Sequence, residues 1–318
     1  MNISELLNLA YVSPPYEIID YKKITDDIKN LHISTPKKTK KQTNKLNKGE
    51  LSECKVKCVL LSLKNSGQSL NNVFKRITKL ENFPNNEIKN LDFKITDLDD
   101  SDSLYDIFKS CNISKKGGGF KADVYINGIG ISLKSLNNAK PSLINHTHRG
   151  NFIRVCNKLK IDINILDKCI KEYHQLRHEK KIMEDVNNSD DNSPFSKIKT
   201  YFIKILKYFL FEGTGTKDSK QKAEYIIFTS SDNDIKKWYI ISKESTIFFD
   251  KMWEHLTFSI RHKAMPKNYP NIDQNKFKKI SKWTEIHQGK YKGSLHVRLS
   301  TNIIDILGES LKFDELSL

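Results

Sequence analysis

From Gly49 the chain sets apolar residues at Leu51, Cys54, Cys58 and Leu61. Steps of three and four predict a helix, and Val59, Leu60 and Leu63 widen its buried stripe. Glu50 and Glu53 fall on one side of the first turn, where acids suit the helix dipole. At ADVYINGIGISLKS (122–135) the period changes. VYI and GISL are short apolar runs around Asn127-Gly128, a pair that predicts a two-residue β-hairpin turn. Three glycines at 117–119 break the chain just before it.

Around these two features the pattern predicts further elements. DFKITDL (92–98) reads as a strand and SLYDIFKS (103–110) as a short helix. Residues 152–185 read as one long amphipathic helix or a broken pair, and 186–194 as a loop and subdomain boundary. SKIKTYFIKILKYFLF (196–211) is a second amphipathic stretch, ending at the Gly/Thr/Lys loop GTGTKDSKQK (213–222). Strands are expected at YIIFTS (225–230), KKWYIIS (236–242) and SLHVRLS (294–300), with a helix around FFDKMWEHLTF (248–258). Residues 1–33 read as helical or irregular, and 34–48 as a basic linker or arm without periodicity.

Composition changes the picture in one respect. Fifty-four Lys and Arg against 38 Asp and Glu leave the 318-residue chain at +16. That balance favours a polyanionic partner, nucleic acid before an anionic membrane. Codon bias toward Lys, Asn and Ile is the competing explanation. An apolar fraction of 37% with 16 Phe and 12 Tyr is enough for a real core. The five scattered cysteines (Cys54, Cys58, Cys111, Cys156, Cys169) lack zinc spacing and read as buried thiols of a reducing cytosol. No segment approaches the ~20 apolar residues of a membrane span.

The hairpin raises a chemical question, because it carries an acid, Asp123, and a lysine, Lys134, on arms that otherwise want burial. Alternation across the pleat puts Ser132 and Lys134 on one face. Asp123 can face them from the neighbouring arm, and Glu53 or Glu50 can reach in from a helix packed beside the sheet. Carboxylates with an ammonium suit hydrolysis of a phosphodiester, which needs a hard cation and a positive charge near the attacking water. A partly exposed strand with a snorkelling lysine explains the same residues without chemistry.

The layout resembles the PD-(D/E)xK nuclease core. Asp123 matches the first acid and Lys134 the lysine, while Ser132 stands where the second acid is usually found. Three longer strings, NKGELSE (47–53), GISLKS (130–135) and PSLINHTHRGNF (141–152), look like matching stretches of type II restriction endonucleases of the HpaII-like kind. KGSLHVRLS (292–300) looks like their closing strand. The resemblance covers about residues 47–155 plus fragments of the second half. It implies an α/β fold: a mixed central sheet with flanking helices and a restriction-endonuclease-like core. It implies Mg²⁺-dependent, sequence-specific cleavage of double-stranded DNA leaving 5′ phosphates, and a cognate DNA methyltransferase protecting host DNA. Asp123 and Glu53, with Glu50 as the alternative, would bind metal together with the backbone carbonyl of Leu133, and Lys134 would act on the attacking water.

DNA contacts are expected around this centre. Ser135 and Lys140 flank the lysine strand. LINHTHRGNF (143–152), read as a loop after the lysine strand, packs Asn145, His148, Arg149 and Asn151 into a few positions, and Asn and Arg read base edges or pair with phosphate. Capping or an HxH metal pair are the alternatives there. Lys217 and Lys220 make the Gly/Thr loop a phosphate contact, although its spacing is not that of a P-loop. Arg261 and Lys263 do the same for SIRHKAMPKNYPN (259–271). His174 and His178 read as a solvated helix face, and Arg298 either reaches the DNA or pairs with a core acid. The expected organisation is an N-terminal segment and arm (1–46), a nuclease core (47–190), and recognition plus remaining core elements (191–318), acting as a monomer or a homodimer without membrane contact. The rivals are a DNA-binding module with a degenerate core, a repair nuclease, and a structural RNA-associated protein.

Overall fold

The computed structural model describes residues 46–70, 73–115, 119–137, 140–261, 282–287 and 290–299. The expectations for the N-terminal arm, and for 262–271 with Lys263, lie outside the described residues.

Helix α1 (Lys48–Ser66) starts on a capping box: the Asn47 side chain accepts from the Glu50 N–H, and the Glu50 carboxylate accepts from the Asn47 N–H. Gly67, at φ 68°, ends it in the left-handed conformation that glycine adopts at no steric cost. Strands β1 (Leu80–Phe83) and β2 (Asn86–Glu87) follow. The strand expected at DFKITDL is instead a 3₁₀ turn, Ile95–Asp99. The Asp97 carboxylate bonds back to the Lys94 N–H, a local bond that competes with strand formation. Helix α2 (Ser101–Ser110) forms as expected, capped by Asp100.

The hairpin forms where the pattern puts it. Strands β3 (Val124–Ile126) and β4 (Ile129–Ser135) are joined by Asn127 and Gly128 at φ 53° and 84°. The Asn127 side chain accepts from the Thr78 and Lys79 N–H groups, which ties the turn to the approach to β1.

Beyond the hairpin the chain departs from expectation. LINHTHRGNF is not a loop: strand β5 (Ser142–His148) runs directly into helix α3 (Arg149–Leu159). The helical pattern that follows is the broken pair, with Lys160 left-handed between α3 and α4 (Ile163–His178). A two-residue strand β6 (Val186–Asn187) lies in the stretch read as a boundary. Helix α5 (Lys199–Lys207) widens into a π turn at Tyr208–Glu212. Strands β7 (Tyr225–Thr229) and β8 (Trp238–Ser242) precede α6 (Thr246–Glu254). That helix stops before the apolar run does, because Leu256 to Phe258 opens strand β9 (Leu256–Arg261). The described chain ends with β10 (Glu285–His287), β11 (Lys290–Lys292) and β12 (Ser294–Leu299).

The fold is mixed α/β with flanking helices. A six-stranded sheet runs β2-β1-β3-β4-β7-β8, antiparallel throughout except where β7 lies parallel to β4. A second, antiparallel sheet, β5-β12-β9-β6, was not expected. Helix α1 packs on β4 and β1. On β7, Ile226 and Phe228 join an aromatic-rich core with α3 to α6 and the second sheet, and Ile227 is buried as well. This two-sided burial explains why β7 reads as a continuous apolar run rather than an alternation. Phe258 stacks on Phe195 at 4.2 Å and meets Phe202 and Trp253 edge-on. Each such ring pair adds about 1 kcal/mol beyond its buried area.

All five cysteines are buried and unbridged. Burial pushes the Cys54 thiol up to about 12 and those of Cys111 and Cys156 to about 11, so none is a reactive thiolate. No helix among the described residues is long and apolar enough to cross a membrane.

Candidate functional site

Asp123 sits one residue before β3, at the point where the hairpin ladder runs out. Its N–H donates to the Ile131 carbonyl. Its carboxylate oxygen Oδ2 accepts from the Leu133 N–H at 2.6 Å and from the Ser132 hydroxyl at 3.1 Å. The acid thus completes the ladder with its side chain. It is only 2% exposed, which is tolerable for a carboxylate because those bonds meet it. The N–H and C=O of one residue project from the same edge of a strand. The Leu133 carbonyl is therefore directed to the Asp123 side.

A cleft of about 570 Å³ opens here between α1 and the ends of β4 and β7. Glu50, Glu53, Asp123, Leu133 and Lys134 line it, with Ser135 and Lys140 at the same wall. Residues distant in sequence and singled out from it are therefore brought together by the fold. The two helix acids differ in their engagement. Glu50 is committed to its neighbours: Oε2 accepts from the Asn47 N–H, and Oε1 pairs with Lys115 at 2.7 Å. The Lys115 hydrogen bond, with that of Asn47, holds its carboxyl below the usual range. Glu53 pairs through Oε1 with Lys57, 2.9 Å away and fully buried, whose ammonium also donates to the Ser114 carbonyl at 2.6 Å. Geometry thus gives Glu50 a capping task and Glu53 an ion pair with a buried lysine, and both carboxylates line the cleft. Among the described residues no group of three or more His, Cys, Asp or Glu stands close enough to hold a metal ion. The cleft offers the carboxylates of Asp123, Glu53 and Glu50 beside Leu133.

Lys134 also borders a second cavity, a chamber of about 320 Å³ between β4, β5, α3 and the Gly/Thr loop. Asn145, Asn151, Thr214 and Thr216 line it with Lys121 and Ser132. Ser132 and Lys134 share this side of β4, as the alternation requires. The wall contributed by β5 is a β-bulge: Ile144 and Thr147 face Val297 and Leu295, so that Asn145 and His146 lie opposite the single residue His296. His146, inside the bulge, has φ 34°, an uncommon backbone for a residue with a Cβ. Its ring stacks on His296 of β12 at 4.5 Å, and the His296 Nε2 lies 3.1 Å from the Ser142 hydroxyl.

The other expected contacts distribute as follows. Arg149 is bidentate to Asp167, both bonds 2.7 Å, and the Trp283 indole N–H shares that carboxylate. Burial works to raise Asp167, but its bonds from Arg149, Trp283 and Lys282 hold it below the usual range. His148 is the N-terminal boundary residue of α3. Lys217 and Lys220 are exposed on the Gly/Thr loop, and the Lys217 stem lies over Gly119, close to the approach to Asp123. Arg261 and Arg298 both pair with Asp185, an exposed acid, so Arg298 is ion-paired at the surface rather than with a core acid. His174 meets the Trp283 carbonyl, in a basic groove that also holds His178, Lys168 and Lys171.

Several residues of the site were not found from sequence. Lys57 lies four residues after Glu53, a spacing that pairs charges on a helix and was available as a signal. The bulge and the histidine stack carry no such signal, since they depend on pairing β5 with a strand some 150 residues later. Asp232 is a third. It accepts from Ser52 of α1 at 2.7 Å and from Asn137 at 3.2 Å, clamping the helix to the exit of β4.

Comparison with known proteins adds nothing to this geometry: no family model, no curated protein and no solved structure matches the chain.

Proposed function

We propose that the cleft between α1 and β4 is a metal-dependent phosphodiesterase centre acting on double-stranded DNA, in a core of the PD-(D/E)xK kind. The observation that carries the reading is the convergence of Asp123, Glu53 and Lys134, from three separate elements, on one cleft in a chain of net charge +16. Two carboxylates and a backbone carbonyl are hard oxygen donors and fit Mg²⁺. Asp123, Glu53 and the Leu133 carbonyl would hold it. When bound, such an ion supplies Lewis acidity that activates water and offsets phosphate charge.

The chain's own residues supply the rest. The Leu133 N–H and the Ser132 hydroxyl hold the Asp123 carboxylate in one orientation, and Lys57 does the same for Glu53. Lys134, at the rim shared by cleft and chamber, would orient the attacking water and stabilise charge developing on the phosphate. Exposed Lys217 and Lys220, with Lys140, would contact the DNA backbone. In this reading the protein is a type II restriction endonuclease, a monomer or a homodimer, paired in function with a DNA methyltransferase.

Ser132 favours a second reading. It hydrogen-bonds Asp123 where the nuclease pattern has a carboxylate, and a core degenerate in this way would bind DNA without cutting it. Incubating the protein with unmethylated phage DNA, in Mg²⁺ or in EDTA, beside Lys134→Ala separates the two. Discrete Mg²⁺-dependent bands that vanish in the variant support the nuclease. Intact DNA with salt-sensitive retardation on a gel supports the binding module.

A further inference from the structure

Asn145 of the β5 bulge and Asn151 of α3 both border the chamber beside Lys134. Among the described residues neither side-chain amide takes part in a hydrogen bond. The Thr216 hydroxyl joins them at the rim, and the buried Leu143, Phe209 and Leu210 form an apolar floor. A recess of about 320 Å³ with an apolar base and a few convergent polar groups is the usual make-up of a small-molecule site. A side-chain amide carries a donor and an acceptor side by side. The edge of a nucleobase presents the matching pair. Recognition by amides, a hydroxyl and apolar contact places no demand on the charges of the neighbouring lysines.

The walls are prebuilt. The Gly/Thr loop is pinned at both ends: Gly213 bridges Asp218, and the Arg154 guanidinium bonds the Gly215 and Thr214 carbonyls and the Tyr208 hydroxyl. Gly215 approaches α3 so closely that an added Cβ would stand 2.7 Å from the Asn151 Cβ. A recess held at this spacing takes its ligand with little ordering cost. Lys134 lines the chamber and the cleft alike. A nucleotide with its phosphate in the cleft therefore has its base within reach of the chamber. A base held in the duplex stack cannot enter such a recess and must be turned out of the helix.

We propose that the chamber binds one nucleobase of the substrate, turned out of the stack, with the Asn145 and Asn151 amides reading its edge and the apolar floor receiving its face. Placing that nucleotide beside the scissile phosphate rests on the nuclease reading; capture of a base does not.

The test is calorimetric titration of the full chain with each of the four deoxynucleoside 5′-monophosphates and with 2-deoxyribose 5-phosphate, which lacks a base. Mononucleotides contain no diester to cut, so Mg²⁺ can be present. Asn145→Leu and Asn151→Leu keep the shape of the side chain without its amide. They are compared with wild type and with Asn157→Leu, an exposed position of α3 outside the chamber, and thermal melts check folding. The expected result is that at least one nucleotide binds saturably and at least about fivefold tighter than the sugar phosphate, the worth of one net hydrogen bond. That margin should vanish in both chamber variants and persist in Asn157→Leu. Four nucleotides that bind no tighter than the sugar phosphate, a margin that survives in either chamber variant, or one lost in Asn157→Leu as well, overturns the site. A duplex with one central mismatch is easier to open, so in EDTA it should bind tighter than its matched twin; equal affinity overturns the turned-out form. Because no cleavage is read, a chain that never cuts DNA sinks the nuclease reading and leaves this result standing. A chain that cuts DNA while its nucleotides show no margin sinks the chamber alone.

Discussion

Replacing Lys57 with methionine probes the charge frame behind the cleft. The side chain is fully buried, its ammonium 2.9 Å from Glu53 and 2.6 Å from the Ser114 carbonyl. Methionine keeps much of the volume, so the packing change is small. Removing one partner of a buried ion pair costs about 3–5 kcal/mol. Here the lower end applies, because Glu53 is 13% exposed at the cleft and water can reach it. The Ser114 carbonyl loses a donor too, already part of the same ~3 kcal/mol. For a chain of this size that is a fall of roughly 4–5 °C in melting temperature. The assay is urea unfolding of Lys57→Met, Glu53→Gln and the double variant. Neutralising Glu53 removes the stranded charge, so the double variant should recover at least ~1.5 kcal/mol relative to the sum of the singles. A Lys57→Met protein within ~0.5 kcal/mol of wild type, or a cycle additive to within ~0.5 kcal/mol, refutes the reasoning.

Other outcomes follow from the same geometry. Asp123→Ala should cost ~1–3 kcal/mol by leaving the buried Leu133 N–H without its acceptor, and unfolding midpoints would expose a negligible loss. Asp123→Asn keeps one acceptor oxygen, so most stability should survive, and on the proposed reading Mg²⁺-dependent cleavage should disappear. At Gly130 an added Cβ would stand 2.3 Å from the Lys222 carbonyl. Gly130→Ala should therefore lower stability by ~1–3 kcal/mol, and an unchanged melt would contradict that fit. Burial, helped by His146, Arg261 and Arg298 and opposed by Asp185, pushes the His296 imidazole down to about 4 from 6.5. Protonation therefore favours the unfolded chain. The stabilisation of the neutral ring is complete above about pH 6.5 and is lost as pH falls toward 4. Melts across that window should show His296→Gln losing less stability than wild type, and parallel curves would count against the shift.

How much was legible in the sequence depended on the range of the forces involved. The hairpin and α1 were visible because their determinants are local: a turn pair at 127–128 and an apolar stripe from Leu51 to Leu63. Asp123, Glu53 and Lys134 could be placed together because a two-residue turn fixes register and one helix must cover the sheet. DFKITDL misled because Asp97 bonds to its own backbone, outweighing a weak alternation. LINHTHRGNF looked like a loop because a β-bulge breaks its period of two, and only β12 reveals it as a strand. Arg149 looked like a reader of DNA, but its partner Asp167 sits a helix away and no local pattern announces the pair.

The parallel step between β4 and β7 carries a consequence for how the protein is made. β4 closes by residue 135, yet its neighbour begins at Tyr225, after β5, three helices and β6 have been made. During synthesis β4 therefore waits with one side unpaired, an open edge that can recruit another chain. Pairing across so long a separation is slow. Nascent chains halted between these strands should be the form most prone to aggregate, and a premature stop there should yield insoluble protein rather than a small folded fragment.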